Sequence, residues 1–192
     1  MRILFATGNE HKISEAAAIL APLGHEVEPL LIQGKPPELI EPQAEGIVEV
    51  ALSKIEQARE LVMGTKLEDS IILVEDSGLF IDALGGFPGP YSSYVESTIG
   101  LSGILQLMSA ESERGAEFRA IAAISIEGNT VTETGICRGK ISEQISGDMG
   151  FGYDPIFIPE NNIKTFAEMN LEEKNVISHR KIAITKLKSF LF

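Results

Sequence analysis

Two adjacent carboxylates, Glu75 and Asp76, follow four apolar residues, Ile71 to Val74. The apolar run reads as a buried strand, and paired acids placed directly after one are hard to explain as solvated surface. The ends of such strands are where α/β proteins hold their ligands. Successive strand residues face opposite ways, so one of the two acids is expected to enter a cleft. Hard carboxylate oxygens suit Mg²⁺, which binds through one or two such groups and is completed by water and phosphate oxygens. The competing reading is an ordinary acidic loop.

A second candidate lies at the N-terminus, where Thr7-Gly8-Asn9-Glu10-His11-Lys12 follows the apolar Ile3-Leu4-Phe5. Small residues at a strand-to-helix junction expose backbone N–H groups and the positive end of the helix dipole to an anion. Lys12 adds a cation in the first turn. A tight turn capped by Asn9 is the alternative. The stretch is not a Walker A loop, because Lys12 is followed by Ile13 rather than Ser or Thr.

Two further segments carry usable groups. Gly150-Phe151-Gly152-Tyr153-Asp154-Pro155 offers a flat ring for a planar ligand and a carboxylate to accept from its edge; a bulged strand end with core aromatics competes. Glu173-Lys174 and Ser178-His179-Arg180-Lys181 place cations near another helix start, with Ser178 as N-cap; a solvated basic helix face competes. His11 and His25 read as surface residues, and no His/Cys spacing suits zinc.

The elements that must position these groups follow from periodicity. Strands are expected over 2–6, 26–32 and 71–74, with a helix over 11–23 stopped by Pro22-Leu23-Gly24. A helix over 45–62 turns Ile47, Val48, Ala51, Leu52, Ile55, Ala58 and Leu61 inward. A rigid loop at 85–90 precedes a helix over 99–108, then strands over 117–127 and 130–138 joined through Gly128-Asn129. A loop with three glycines spans 147–155, and a basic-faced helix with apolar Ile182, Ile184, Leu187 and Leu191 runs from Ser178 to Phe192. The alternation predicts a mixed α/β fold with long strands around a central cleft, built as one domain over residues 1–192.

The 192 residues carry a net charge of −12 and a hydrophobic fraction of 44%. That balance argues against a nucleic-acid partner, whose affinity comes from neutralised phosphates, and leaves room for a small phosphorylated ligand. No apolar run approaches a membrane span. The N-terminus enters a strand at once, without a signal peptide. A single cysteine, Cys137, allows no internal disulfide and fits a cytoplasmic setting.

In order along the chain stand TGN-x-x-K at 7–12, EDSGL at 75–79, GGFPGPYS at 85–92, GFGYDPIF at 150–157 and FAEM-x₄-EKN-x₂-SHR at 166–180. This set closely resembles the inosine triphosphate pyrophosphatase family (Ham1-like, XTP/dITP diphosphatases), over nearly the whole chain. The resemblance implies a two-lobed α/β fold around a nucleotide-binding cleft, in a homodimer. It also implies Mg²⁺-dependent hydrolysis of ITP, dITP and XTP to the monophosphate and pyrophosphate, which cleanses the nucleotide pool. By motif, residues Thr7, Gly8, Asn9, Glu10, His11 and Lys12 match the family's phosphate-binding loop. Asp76 matches its acidic metal and general-base position, with Ser77 a substrate contact. Phe151, Gly152, Tyr153 and Asp154 match the base-binding loop, and Lys174, His179 and Arg180 the C-terminal substrate contacts. Lys54 matches a phosphate-contacting helix lysine. The second metal-binding carboxylate is assigned to Glu41, whose spacing to the downstream helix fits; Glu38 is the alternative, and Asp76 can be base or metal ligand. Lys12, Lys54 and Lys174 are expected to neutralise phosphate oxygens, and Arg180 or nearby backbone to donate to a purine 6-oxygen. The GFGYDP and SHR segments argue against the related Maf-like pyrimidine pyrophosphatases. The paired carboxylates argue against a non-catalytic nucleotide-binding regulator.

Overall fold

The computed structural model describes residues 1–191. The chain opens with strand β1 (Arg2–Phe5), helix α1 (Glu10–Leu20), strand β2 (Glu26–Pro29), helix α2 (Ile47–Val62) and strand β3 (Ile71–Ile81). Helices α3 (Ser92–Thr98) and α4 (Gly100–Leu107) follow, then strands β4 (Gly115–Ile126) and β5 (Asn129–Ile141). Strand β6 (Phe157–Pro159) and helices α5 (Leu171–Ile177) and α6 (His179–Lys186) complete it. The strands form one mixed sheet in the order β2-β1-β3-β4-β5-β6. Strand β1 is parallel to β2 and β3, and the remaining neighbours are antiparallel.

Strand alternation sorts the core. Ile3, Phe5, Leu73, Ala120, Ala122 and Ile124 face α1 and α6, packing on Ala16, Ile19, Leu20, Ala183, Ile184 and Leu187. Leu4, Ala6, Ile72, Val74 and Ala123 face the other way, onto Ile55, Ala58 and Val62 of α2. A further core, around Leu79, Ile81, Ile104, Phe118, Phe157 and Phe166, fills the far end of the sheet.

The largest difference from the periodicity-based expectation is β3. It runs for 11 residues through Glu75, Asp76, Ser77 and Gly78, which were expected to lie beyond its end. Polar residues interrupt the apolar run, yet each finds its partner on the helix it faces, so the ladder to β4 continues unbroken from Ile72↔Ser125 to Ile81↔Ala116.

Smaller corrections have local causes. The hairpin turns at Glu127-Gly128 rather than Gly128-Asn129, both residues having positive φ (49° and 79°), the twist-matching two-residue turn. Strand β2 stops at Pro29, which has no N–H for the ladder. In α2 the inward stripe is Ile47, Val50, Ala51, Ile55, Ala58 and Val62, while Val48, Leu52 and Leu61 are exposed; seven apolar residues are more than one contact face holds. The expected helix over 99–108 is present as α4, which starts at Gly100 (φ 64°), and a separate helix α3 not expected from periodicity precedes it. Helix α1 ends at Leu20 and tightens into a 3₁₀ turn over Ala21–Leu23, as Pro22 dictates. Helix α6 likewise ends at Lys186, with a 3₁₀ turn over Leu187–Phe190. Phe192 lies outside the described residues. His11 is exposed as expected, whereas His25 is buried.

Helix α6 can sit close on β5 because Gly135 leaves room: a Cβ there would collide with the carbonyl of His179 and come within 2.5 Å of the Ala183 amide nitrogen. Both are backbone atoms of a packed helix and cannot swing aside. Gly135→Ala is therefore expected to destabilise the protein by about 1–3 kcal/mol, the usual overpacking cost. The midpoint of urea unfolding reads this directly; an unchanged midpoint would show that α6 does not rest on β5 as described.

Candidate active site

Strand β1 stops at Phe5 while β3 runs on to Ile81, so among the described residues no strand covers the β1-side edge of β3 from Val74 to Gly78. Side chains take over that edge. The Lys12 ammonium donates to the Glu75 carbonyl at 3.0 Å, and the Leu79 N–H donates to Ser92 Oγ at 2.8 Å. A cleft of about 500 Å³ opens here. It lies where α1 and α2 leave for opposite faces of the sheet, the usual place for a ligand in such folds.

One end of the cleft holds Thr7, Asn9, Lys12, Glu41, Lys54 and Asp76. Asn9 caps α1 by accepting from the Lys12 N–H at 3.1 Å, and Thr7 Oγ1 accepts from the Asn9 N–H at 3.2 Å. The turn capped by Asn9 is therefore present, at the lip of the cleft. Asp76 faces α2, as its position in β3 requires, and Lys54 Nζ donates to it at 2.7 Å and to Glu41 at 2.6 Å. Burial works against the ammonium, but Asp76 and Glu41 outweigh it and hold the Lys54 pKa above the ordinary lysine value. Asp76 Oδ2 is buried without a hydrogen-bond partner. Glu41 lines the cleft and Glu38 does not.

Glu75 faces the other way, toward α1 and α6, so one of the paired acids enters the cleft, as alternation predicts. Its carboxylate meets Lys12 Nζ at 2.9 Å and Arg180 Nη2 at 3.2 Å. Burial would raise its pKa, yet Arg180 and Lys12 prevail and keep it ionised well below the usual carboxylate range. Arg180 is 1% exposed. Its guanidinium also donates to Ser77 Oγ at 3.2 Å and pairs closely with Glu15. Glu15 accepts from Lys174 Nζ at 2.7 Å, and Lys174 in turn donates to Asp154 at 2.7 Å. Three carboxylates and three cations thus form one buried chain from β3 to the loop 151–154.

That chain supports the other end of the cleft. Asp154 accepts from the Phe151 N–H at 2.9 Å, which closes the loop on itself. Lys174 Nζ and the Arg180 guanidinium stand 5.0 and 5.3 Å from the Phe151 ring centre, and His11 stacks on that ring at 5.3 Å. His179 stacks on Phe118 at 4.6 Å.

The structure brings most of the expected residues to one cleft: Thr7, Asn9, Lys12, Glu41, Lys54, Asp76, Ser77, Phe151, Gly152, Tyr153, Asp154, Lys174, His179 and Arg180 all line it. Gly8, Glu10 and His11 do not; His11 reaches it only through Phe151. The reading of 178–181 as a solvated basic face is overturned, since His179 and Arg180 are buried. Lys174 lines the cleft while ion-paired to both Glu15 and Asp154. Arg180 has its terminal nitrogens committed to Glu15, Glu75 and Ser77, so it backs the Phe151 ring rather than presenting a free fork. Sequence reading missed Glu15, whose only trace is a carboxylate four residues before Ile19 on the helix face turned inward. It also missed Ser92, which joins Leu79 to the Gly89 carbonyl.

Among the described residues no cluster of three or more His, Cys, Asp or Glu encloses a metal. Two carboxylates converging on one cation, with one oxygen unpartnered, do suit a hard divalent ion that draws its remaining ligands from water and a bound phosphate.

Burial holds the His179 imidazole well below its ordinary value of 6.5, reinforced by the Arg180 charge. The unfolded chain then binds a proton that the folded one refuses, so stability is full above about 6.5 and falls as the pH drops through it. Glu75 and Glu15, depressed carboxyls with ordinary values of 4.5, add losses at lower pH. The melting temperature is expected to decline between about pH 7 and pH 5, and His179→Asn to flatten that segment. An equally steep slope in the variant would remove His179 as its cause.

The Ham1 family model matches residues 3–190. A dITP/XTP pyrophosphatase of Methanopyrus kandleri is 47% identical over 187 residues, covering 97% of this chain and 94% of that protein. One from Hyperthermus butylicus is 44% identical over 185 residues, covering 96% and 92%. The Ham1 protein of Staphylococcus aureus superposes with a TM-score of 0.81 at 29% identity, covering 100% of this chain and 98% of that one. A nucleoside-triphosphatase/dITP/XTP pyrophosphatase of Mycobacterium abscessus gives a TM-score of 0.72 at 30% identity, with both chains fully covered. The fold, the cleft and this full-length similarity agree: the chain belongs to the Ham1 family.

Proposed function

We propose that the protein hydrolyses the non-canonical purine nucleoside triphosphates ITP, dITP and XTP to the monophosphate and pyrophosphate, clearing them from the nucleotide pool. The observation that carries this reading is one cleft with two chemically distinct ends. Asp76, Lys54, Lys12 and the start of α1 suit a polyphosphate, and Phe151 on its buried charged support suits a planar base. Relatives with more than 40% identity are named dITP/XTP pyrophosphatases, which supports dITP and XTP among these substrates.

In this reading the triphosphate lies against the N–H groups at the start of α1, with Lys12 and Lys54 neutralising its oxygens. Asp76 and Glu41 hold Mg²⁺, which when bound lowers the pKa of a coordinated water and neutralises developing charge. In the same reading Asp76 Oδ2, which has no other partner, takes a proton from water attacking the α-phosphorus. Glu75 cannot share that role, because it points to the opposite face. Lys174 and Arg180 hold the base loop from behind, and Asp154 acts by fixing Phe151. We further read the chain as a single domain, a homodimer and a cytoplasmic protein. The continuous sheet supports the first; the family resemblance and the lone buried Cys137 support the others. Among the described residues no helix is long and apolar enough to cross a membrane.

Three measurements test the reading. At the base end Arg180, which lines the cleft, keeps its Nε without a partner, a donor that fits a 6-oxygen and opposes the 6-amino group of adenine. One mismatched group at about 1–3 kcal/mol gives an expected kcat/KM preference of about 10–10²-fold for ITP over ATP. The products are IMP and pyrophosphate, so chromatography finding IDP and orthophosphate overturns the proposal. Asp76→Asn keeps the shape but removes the anion, and kcat is expected to fall at least ~10²-fold with an unchanged circular dichroism spectrum. Near-normal turnover would take Asp76 out of the reaction.

A further inference from the structure

We infer that Lys54 is a placeholder cation: in the nucleotide-free protein its ammonium occupies the point between Glu41 and Asp76 that a divalent ion takes, so metal is retained only together with a polyphosphate that draws the lysine away. The inference rests on the proposed metal role of those two carboxylates and goes beyond it to the order in which the cleft fills.

One nitrogen ties both acids, at 2.6 and 2.7 Å. Mg²⁺ holds oxygen at about 2.0–2.1 Å, so the same two groups need close in only slightly to grip an ion once the ammonium leaves. The two partners differ in freedom. Asp76 is fixed on β3 with 12% of its side chain exposed, while Glu41 sits on a loop with 53% exposed. The loop is held independently of Lys54, because the Gln57 amide donates to the Ile40 carbonyl and accepts its N–H, both at 2.8 Å. Glu41 therefore stays near the cleft whether or not Lys54 engages it.

Lys54 Nζ is ion-paired to both carboxylates at once. An ion entering the cleft without nucleotide must expel that charge from two ion pairs into water, and close approach of two cations is unfavourable. A triphosphate changes the balance. Its oxygens give the ammonium a new acceptor on a flexible stem and complete the coordination of the ion. Metal and nucleotide binding then reinforce each other, and by linkage the reinforcement is reciprocal.

The test is Mn²⁺ binding, read by electron paramagnetic resonance on the nucleotide-free protein and again with an α,β-methylene analogue of ITP. Lys54→Met is expected to bind Mn²⁺ at least ~10-fold tighter than the parent without nucleotide. Lys54→Arg, which keeps the charge, should bind as weakly as the parent. Adding the analogue should tighten Mn²⁺ far more in the parent than in Lys54→Met. Lys54→Met/Asp76→Asn should lose the gain, which assigns the ion to this site. Lys54→Met binding no tighter than the parent, while the analogue still recruits Mn²⁺ to both, overturns the placeholder and leaves the metal role standing. A double variant that binds as tightly as Lys54→Met puts the ion elsewhere and overturns it too. No Mn²⁺ bound to any variant with the analogue present removes the metal role itself, and the inference with it. Should Lys54→Met fail to fold, Lys54→Gln gives the same reading.

Discussion

Everything at the cleft depends on the burial of Glu75. Its carboxylate is held within the sheet, and a charge taken out of water must be compensated or it unfolds the site. Compensation comes from Lys12 on α1 and Arg180 on α6, which anchors both helices to one point of β3. Arg180 then needs Glu15, Glu15 binds Lys174, and Lys174 binds Asp154. The charges balance at three against three. Such a network is weak evidence of net stability, since hydrophobic replacement can do as well. Its effect here is geometric: removing any member strands a buried charge, so elements distant in sequence are held in one arrangement.

The parity of β3 turns that support into a site. Glu75 and Ser77 face α1 and α6, and Asp76 faces α2. One strand thus carries the structural acid on one side and the cleft-facing acid on the other. A slip of register by one residue would exchange them. The ten-residue ladder with β4 and the close approach at Gly78, where a Cβ would strike the Gly89 carbonyl, hold the register in place.

The two ends of the cleft are built differently. The base loop is preorganised: Asp154 closes it, Lys174 grips Asp154, and Tyr153 donates to the Ser92 carbonyl at 2.8 Å. The phosphate end keeps movable parts, with the half-exposed Glu41 and lysines on flexible stems. That contrast suits the proposed reaction, in which a planar base is held still while charge shifts at the phosphates.

The sequence by itself determined the α/β pattern, the apolar faces and the set of polar motifs, because these are local: a period of two or 3.6, a capping Asn9 or Ser178, a glycine at a turn. It also announced that one of Glu75 and Asp76 would enter a cleft, from alternation alone. Which one did, and what the other was for, could not be read locally. Glu15 and Arg180 are 165 positions apart, Lys12 and Glu75 are 63 apart, and no spacing rule connects them. The same ignorance ended β3 too early, since a polar residue reads as exposed until its partner is known, and it left a solvated basic face as a competing local reading of 178–181. Only the tertiary structure decided which charges were buried, because burial of a charge is a property of the partners that surround it and those partners meet only when the sheet and its helices have closed.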